Sequence, residues 1–128
     1  MATQGARGSR VLIVDDDADV AAALEEVLQE LGHVVWTARD GASALRLADA
    51  LCPEVVIVDI GLPVMDGYEL SRHLRESSAS PRDLRVIALS GYARNRQREA
   101  AASSSFDFHL TKPPSLDVLA DLVEHRAH

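Results

Sequence analysis

Residues 11–17 read Val11-Leu12-Ile13-Val14-Asp15-Asp16-Asp17, four apolar residues followed at once by three carboxylates. A short unbroken apolar run suits a strand covered on both faces, because neither side of its pleat then meets water. The same pattern recurs along the chain. Val34-Val35-Trp36, Val55-Val56-Ile57-Val58, Val86-Ile87-Ala88-Leu89 and Phe106 to Leu110 complete a set of five predicted strands.

The segments between them carry a helical period. Val20, Leu24, Val27, Leu28 and Leu31 recur at steps of three and four, and Gly32 stops the run. Ala44, Leu45, Ala48 and Leu51 give a second helix ended by Pro53, and Leu70 and Leu74 mark a third after the Asp66-Gly67 turn. A fourth helical segment, about Arg94 to Ala102, offers only a small alanine face below Arg94, Arg96, Arg98 and Glu99. It reads as a solvated helix or one facing a partner. In the last helix Leu116, Leu119, Ala120 and Val123 share one side, with Ser115 as N-cap. Glu76 to Pro81 reads as a Ser-rich loop. Strands and helices in strict alternation imply right-handed crossovers and an α/β fold, a mostly parallel sheet between helical layers.

The bulk composition agrees with one such domain. The 128 residues are 47% hydrophobic and 26% charged with only 4% aromatic, as expected of a folded chain packed on aliphatic side chains. Residues 1–9, rich in Gly, Ala and Ser, read as a flexible leader, and residues 10–127 as the domain. A net charge of -7 argues against a general nucleic-acid binder, which needs clustered Lys and Arg. No apolar run approaches the ~20 residues that span a bilayer, so no membrane contact and a cytoplasmic location are expected. The single Cys52 cannot form an internal disulfide and reads as a small filler near a helix end.

In parallel α/β sheets the carboxyl ends of the strands form the binding crevice. Strand one ends in Asp15-Asp16-Asp17, strand three in Asp59, strand four in Ser90-Gly91 and strand five in Thr111-Lys112-Pro113, so these polar groups are expected at one edge. Crowded carboxylates repel unless a cation joins them or one takes a proton, and hard oxygen donors suit magnesium or manganese. Lys112 could grip phosphoryl oxygens and the Ser90 hydroxyl could donate to another. Asp59, alone at the end of the most apolar strand, is the candidate to attack phosphorus and form an acyl phosphate, while Asp15 and Asp16 suit a metal.

Four blocks carry a family resemblance: Val11 to Asp17; Val58-Asp59-Ile60-Gly61-Leu62-Pro63 with Met65-Asp66-Gly67; Ala88-Leu89-Ser90-Gly91; and Leu110-Thr111-Lys112-Pro113. In this order and spacing they resemble the motif blocks of response-regulator receiver domains, over essentially the whole chain after Arg10. The resemblance implies a flavodoxin-like (CheY-like) doubly wound five-stranded parallel sheet of order 2-1-3-4-5. It implies that Asp59 is the phosphoacceptor, that Asp15, Asp16, Asp59 and the backbone carbonyl of Gly61 hold magnesium or manganese, and that Ser90 and Lys112 engage the phosphoryl group. The donor implied is a histidine kinase or a histidine phosphotransfer protein, and the chain is expected to act as a signalling domain rather than as an enzyme on other substrates. A dimer through the fourth helical segment, the fifth strand and the last helix is a further implied partner. A cis bond at Lys112-Pro113 is also implied, and costs only ~0.5 to 1 kcal/mol.

The chain departs from the family pattern in several places. His109 stands where many members have Tyr or Phe three residues before the lysine; it reads as a switch candidate, a pH-dependent surface group or a partly exposed strand-end histidine. With Asp-Ile-Gly-Leu-Pro, the Phe108-His109-Leu110 wording looks more like receivers of hybrid histidine kinases than like those fused to DNA-binding domains. Ser103-Ser104-Ser105 replaces the usual Ala-Gly turn, and Pro114 follows Pro113. Gly61 and Tyr92 stand at positions that tune dephosphorylation in similar receivers. His33, His73, His125 and His128 show no metal-ligand spacing.

Two rival classes can be weighed on the same residues. A haloacid-dehalogenase-type phosphatase resembles Asp-x-Asp at the strand end, and Gly61 stands where its second carboxylate belongs. A pseudo-receiver that only binds proteins would not need the full set of polar residues found here. A dinucleotide site is excluded because no Gly-x-Gly-x-x-Gly turn follows the first strand.

Overall fold

The computed structural model describes residues 8–60, 67–76, 84–90, 106–112 and 114–124. The expectations for the fourth helical segment, Gly61, Gly91, Tyr92, Ser103 to Ser105, Pro113, His125 and His128 lie outside these residues.

Five parallel strands, β1 (Arg10–Val14), β2 (Val34–Ala38), β3 (Val55–Asp59), β4 (Arg85–Ser90) and β5 (Phe108–Thr111), form one sheet in the order β2-β1-β3-β4-β5. Helices α1 (Ala18–Glu30), α2 (Gly41–Leu51), α3 (Gly67–Glu76) and the last helix, Leu116–Glu124, cover it. The topology is the flavodoxin-like one, with its order reversing between β1 and β3.

Alternation along the central strands sorts the interior into two layers. Leu12, Val14, Val56, Val58, Val86 and Ala88 face α2 and α3, where they meet Ala44, Ala48, Leu70 and Leu74. Val11, Ile13, Val55, Ile57, Ile87 and Leu89 face the other way, onto Leu24 and Leu28 of α1 and Leu119 and Val123 of the last helix. Both faces of β1, β3 and β4 are therefore buried, which is why these strands are legible as continuous apolar runs. Each fully buried Leu, Ile or Val contributes on the order of 1.5 to 3 kcal/mol through lost water contact.

The element ends differ from the sequence reading in informative ways. β2 runs on to Ala38 and β4 spans Arg85 to Ser90, because the hydrogen-bonded ladder continues through less apolar residues. β5 begins two residues later than expected, at Phe108; Phe106 is buried ahead of the strand, among the side chains of the α2–α3 layer. Ser115 does cap the last helix, its Oγ accepting the Val118 N–H.

The edge of the sheet that carries the strand starts is tied together by specific bonds. Ser9, placed in the leader by the sequence reading, is 2% exposed; its N–H donates to Nδ1 of the buried His33, its hydroxyl donates to the carbonyl of Val123, and its carbonyl accepts the Val34 N–H. Gly8 is packed so closely on the α1–β2 turn that a Cβ there would sit 2.0 Å from the Gly32 carbonyl oxygen. Arg10 donates twice to the carbonyl of Cys52, beyond the end of α2, and Arg85 donates to the Leu122 carbonyl in the last helix.

Cys52 is half-buried and terminates α2 in the left-handed region, with φ 49°. That conformation costs a side-chain-bearing residue about 1 to 2 kcal/mol, and glycine adopts it freely. Cys52→Gly is expected to raise stability by about 0.5 to 1 kcal/mol net of glycine's greater unfolded-state entropy. Urea unfolding of both proteins at neutral pH checks this, with a higher midpoint at unchanged slope as the expected result.

Candidate metal centre

The polar residues that follow the apolar strands converge at the carboxyl edge of the sheet. Asp15 comes directly after β1, and its N–H donates to the Ala38 carbonyl, which holds it in line with the strand. Its side chain is fully buried, and Oδ1 accepts the Asp17 N–H at 2.9 Å. Asp59 is the last residue of β3 and is 9% exposed. Asp16, next to Asp15, is exposed. One carboxylate oxygen from each of Asp15, Asp16 and Asp59 lies within 4.8 Å of the others.

Asp17 takes a different part. Its Oδ1 accepts the N–H groups of Asp19 and Val20, so it caps α1 and is turned into the helix instead of the cluster. Three consecutive aspartates thus divide into a buried ligand candidate, an exposed one and a helix cap.

The lysine reaches the same place from the far side of the sheet. The Lys112 N–H donates to the Ser90 carbonyl at 2.8 Å, continuing the β4–β5 ladder past Thr111. Its Nζ donates to Asp59 Oδ2 at 3.2 Å and lies 3.0 Å from Asp15 Oδ2. The second contact is an ion pair without hydrogen-bond alignment, so Asp15 Oδ2 is buried with no aligned donor. Ser90 ends β4, is 7% exposed and stands opposite Thr111 in the ladder.

These groups set the local charge. Three ionised carboxylates and one ammonium leave two negative charges in a partly buried site, which one divalent cation would balance. The donors are all hard oxygens, and one of them, Asp15 Oδ2, has a buried lone pair without an aligned donor. The residues therefore fit a magnesium-type ion, which takes one or two carboxylates and keeps several waters. The Gly61 carbonyl, expected as a further ligand, lies outside the described residues.

Burial pushes the Asp15 carboxyl above its ordinary value; the Asp17 N–H and Lys112 pull it down, and the charge of Asp59 raises it again. For Lys112, burial alone would lower the ammonium, but the close contact and charge of Asp15 and Asp59 outweigh it and hold it above the usual lysine value.

His109 is exposed on β5, its ring edge-to-face with Phe106 at 5.1 Å between centroids. His33 is a buried structural histidine and His73 lies 4.0 Å from Glu69 one turn earlier on α3. Neither joins the acidic cluster.

The raised Asp15 value fixes a sign for the pH dependence. Between about pH 4, where an unfolded aspartate loses its proton, and the higher folded value, the folded chain binds more protons, so stability falls as pH rises through that window. Lys112 works at the other end: its contribution is complete below about pH 10.5 and is lost as pH rises through its raised folded value. Asp15→Asn is expected to flatten the acid-side decline and to raise metal-free stability at pH 7 by about 1 kcal/mol, roughly 3 to 5 °C. It should also abolish the stabilisation that millimolar magnesium gives the unsubstituted chain. Thermal unfolding from pH 4 to 8, with and without magnesium, checks both.

Comparison with known proteins adds independent findings. Residues 11–124 match the family described as response regulator receiver domain. The transcriptional regulatory protein PrrA of Mycobacterium leprae is 42% identical over 119 residues, which are 93% of this chain and 48% of PrrA. The sensor protein EvgS of Escherichia coli is 37% identical over 85% of this chain and 9% of its own length. Among solved structures, the receiver domain of sensor histidine kinase PA1611 from Pseudomonas aeruginosa, which has a magnesium ion coordinated in its active site cleft, superposes with a TM-score of 0.80. It is 29% identical, and the match covers 91% of this chain and 95% of that one. The chain spans about half the length of the first curated relatives it matches. No helix among the described residues is long and apolar enough to cross a membrane.

Proposed function

Since the chain belongs to the response regulator receiver domain family of two-component systems, we propose that Asp59 accepts a phosphoryl group from a phosphohistidine, supplied by a histidine kinase or a histidine phosphotransfer protein. The observation that carries this reading is the meeting of Asp15, Asp16 and Asp59 within 4.8 Å, with the Lys112 ammonium on two of the three.

In the step itself a carboxylate oxygen of Asp59 forms a bond to phosphorus as the bond from phosphorus to the imidazole nitrogen breaks, and the leaving imidazole keeps the electron pair. Little covalent work falls to the protein; positioning and charge do most of it. Asp15 and Asp16, with Asp59, would hold magnesium. When bound, the ion neutralises phosphoryl oxygens and reduces the repulsion an anionic donor meets here. Lys112 moves from its carboxylate contacts onto a phosphoryl oxygen, and the Ser90 hydroxyl donates to another. Asp59 is thereby the phosphoacceptor, Lys112 and Ser90 its helpers, and the domain a self-acting signalling module.

Magnitudes limit what one of these contacts can transmit. A hydrogen bond to a charged group is worth ~1.5 to 3 kcal/mol, whereas turning a two-state equilibrium from 1:99 to 99:1 takes ~5.5 kcal/mol. Ser90 alone cannot throw such a switch. The Lys112 contact and a rearranged β5 face, His109 included, share the work in this reading. PrrA is named a transcriptional regulator and EvgS a sensor protein, so either kind of output is open to a longer protein containing this domain.

Incubation with acetyl phosphate or phosphoramidate and magnesium, followed by intact mass, tests the proposal. One phosphate-sized adduct is expected, lost in Asp59→Asn and reduced by about 100-fold or more in rate when magnesium is chelated. An unmodified wild-type chain would point instead to a binding module that works without phosphorylation.

A further inference from the structure

Lys112 owes its place to a strand whose own side chains say little about where it should lie. β5 is an edge strand of four residues; Phe108, His109 and Thr111 are exposed and Leu110 is only half-buried. Register in a sheet is specified by which side chains must be buried, so a strand with this pattern is prone to slip. β4, its partner, is buried along nearly its whole length and accepts a neighbour without choosing a register. Yet a slip of one residue would carry Lys112 about 3.3 Å along the sheet and turn its side chain to the other face. That would remove the ammonium from carboxylates that it meets at 3.0 and 3.2 Å.

The residue before β5 supplies the missing specification. The Asp107 N–H donates to the Val86 carbonyl at 2.8 Å, and Asp107 Oδ2 accepts the Val86 N–H at 2.7 Å. One residue thus engages both backbone groups of a fully buried position on β4, its carboxylate standing where a strand carbonyl would otherwise be. The same oxygen accepts from Arg75 at 2.7 Å, and the other arm of that guanidinium donates to the Leu84 carbonyl at 3.0 Å. Arg75, in the last turn of α3, therefore clasps the starts of β4 and β5 together. Phe106 anchors the approach in the α2–α3 layer, but it lies two residues ahead of the strand, and the pairing of β5 itself is left to hydrogen bonds. The Lys112 N–H to Ser90 bond, at the far end of β5, is made by main chain alone and would be offered by any residue there except proline.

We propose that Asp107, held by Arg75, is a positioning residue that locks the register of β5 and so delivers Lys112 to the phosphoacceptor site. This rests on the phosphoryl-transfer reading given above. Asp107 sits at the opposite end of β5 from the acidic cluster and acts only through Lys112. As an exposed ion pair, Arg75–Asp107 would be worth little; its weight comes from the buried Val86 N–H that the shared oxygen satisfies.

The test compares Asp107→Ala, Asp107→Asn, Lys112→Ala and the double variant Asp107→Ala/Lys112→Ala with the full unsubstituted chain. Three quantities are read: acetyl phosphate uptake at saturating magnesium, magnesium Kd by calorimetry, and hydrogen exchange at the Lys112 amide. Asp107→Ala is expected to slow uptake about 10- to 100-fold, the usual penalty for an ångström-scale misplacement. It should speed Lys112 amide exchange at least about 10-fold and leave magnesium binding at least as tight as in the unsubstituted chain, since the three carboxylates are not carried by β5 and two of them lose a competing ammonium. Asp107→Asn, whose amide oxygen can still accept from Val86, should recover most of the rate. In the Lys112→Ala background, Asp107→Ala should cost nothing further.

Uptake by Asp107→Ala at the wild-type rate would overturn the proposal, as would an equal loss with and without Lys112. If Asp107→Ala does not fold, Arg75→Gln carries the same comparison in milder form, and additivity with Lys112→Ala is again the contrary result. A wild-type chain that takes up no phosphate would remove the functional reading instead. Exchange at the Lys112 amide, faster in Asp107→Ala or unchanged, would then decide the lock by itself.

Discussion

Negative charge held at short range away from water is the constraint around which this protein is arranged. Asp15 is fully buried and Asp59 nearly so, and with Asp16 they offer oxygens within 4.8 Å of one another. Such a group needs positive charge nearby or a proton on one of its members. Lys112 supplies one unit, from a strand two places along the sheet from β3. The remaining deficit suits a divalent ion and, in the proposed function, chemistry at phosphorus. The repulsion that makes the site costly to assemble is also what makes it responsive to a change in charge.

The two edges of the sheet answer to different demands. Where strands begin, polar groups are matched to partners within the fold: Arg10 with the Cys52 carbonyl, Arg75 with Leu84 and Asp107, Arg85 with Leu122, Ser9 with His33, Val34 and Val123. These bonds bring helix ends and strand starts into fixed relation. Where strands end, like charges stand together. Stability is gathered at one edge and reactivity at the other, with the apolar layers between them rigid enough to keep the two in register.

How much of this could be read from the sequence follows from how each element is held. β1, β3 and β4 are legible because both faces are buried, and Asp15, Asp59 and Ser90 are legible because each is the first polar group at the end of such a run. Ser115 is legible as a cap because its chemistry is local. What escaped the reading depends on partners distant in sequence. Nothing in Asp15-Asp16-Asp17 says that the third carboxylate turns to the N–H groups of Asp19 and Val20. The start of β5 differs from the expected Phe106 because Phe106 looks like strand but is buried ahead of it, and Asp107, within the expected run, meets β4 through its carboxylate as well as its N–H. Cys52 gave no sign of a left-handed backbone, and Ser9, in a stretch of small residues, gave none of its contacts with His33 and Val123.

The Ser9 contacts bear on how such a unit sits in a longer polypeptide. Ser9 touches Val123 across a separation of 114 positions, so the backbone enters and leaves at neighbouring points, on the side remote from the carboxylates. A tether pulling on both ends of the domain would load this junction first, at the edge of the sheet opposite the carboxylates. Flanking segments of very different size can therefore be joined there, at the sheet edge opposite the acidic cluster.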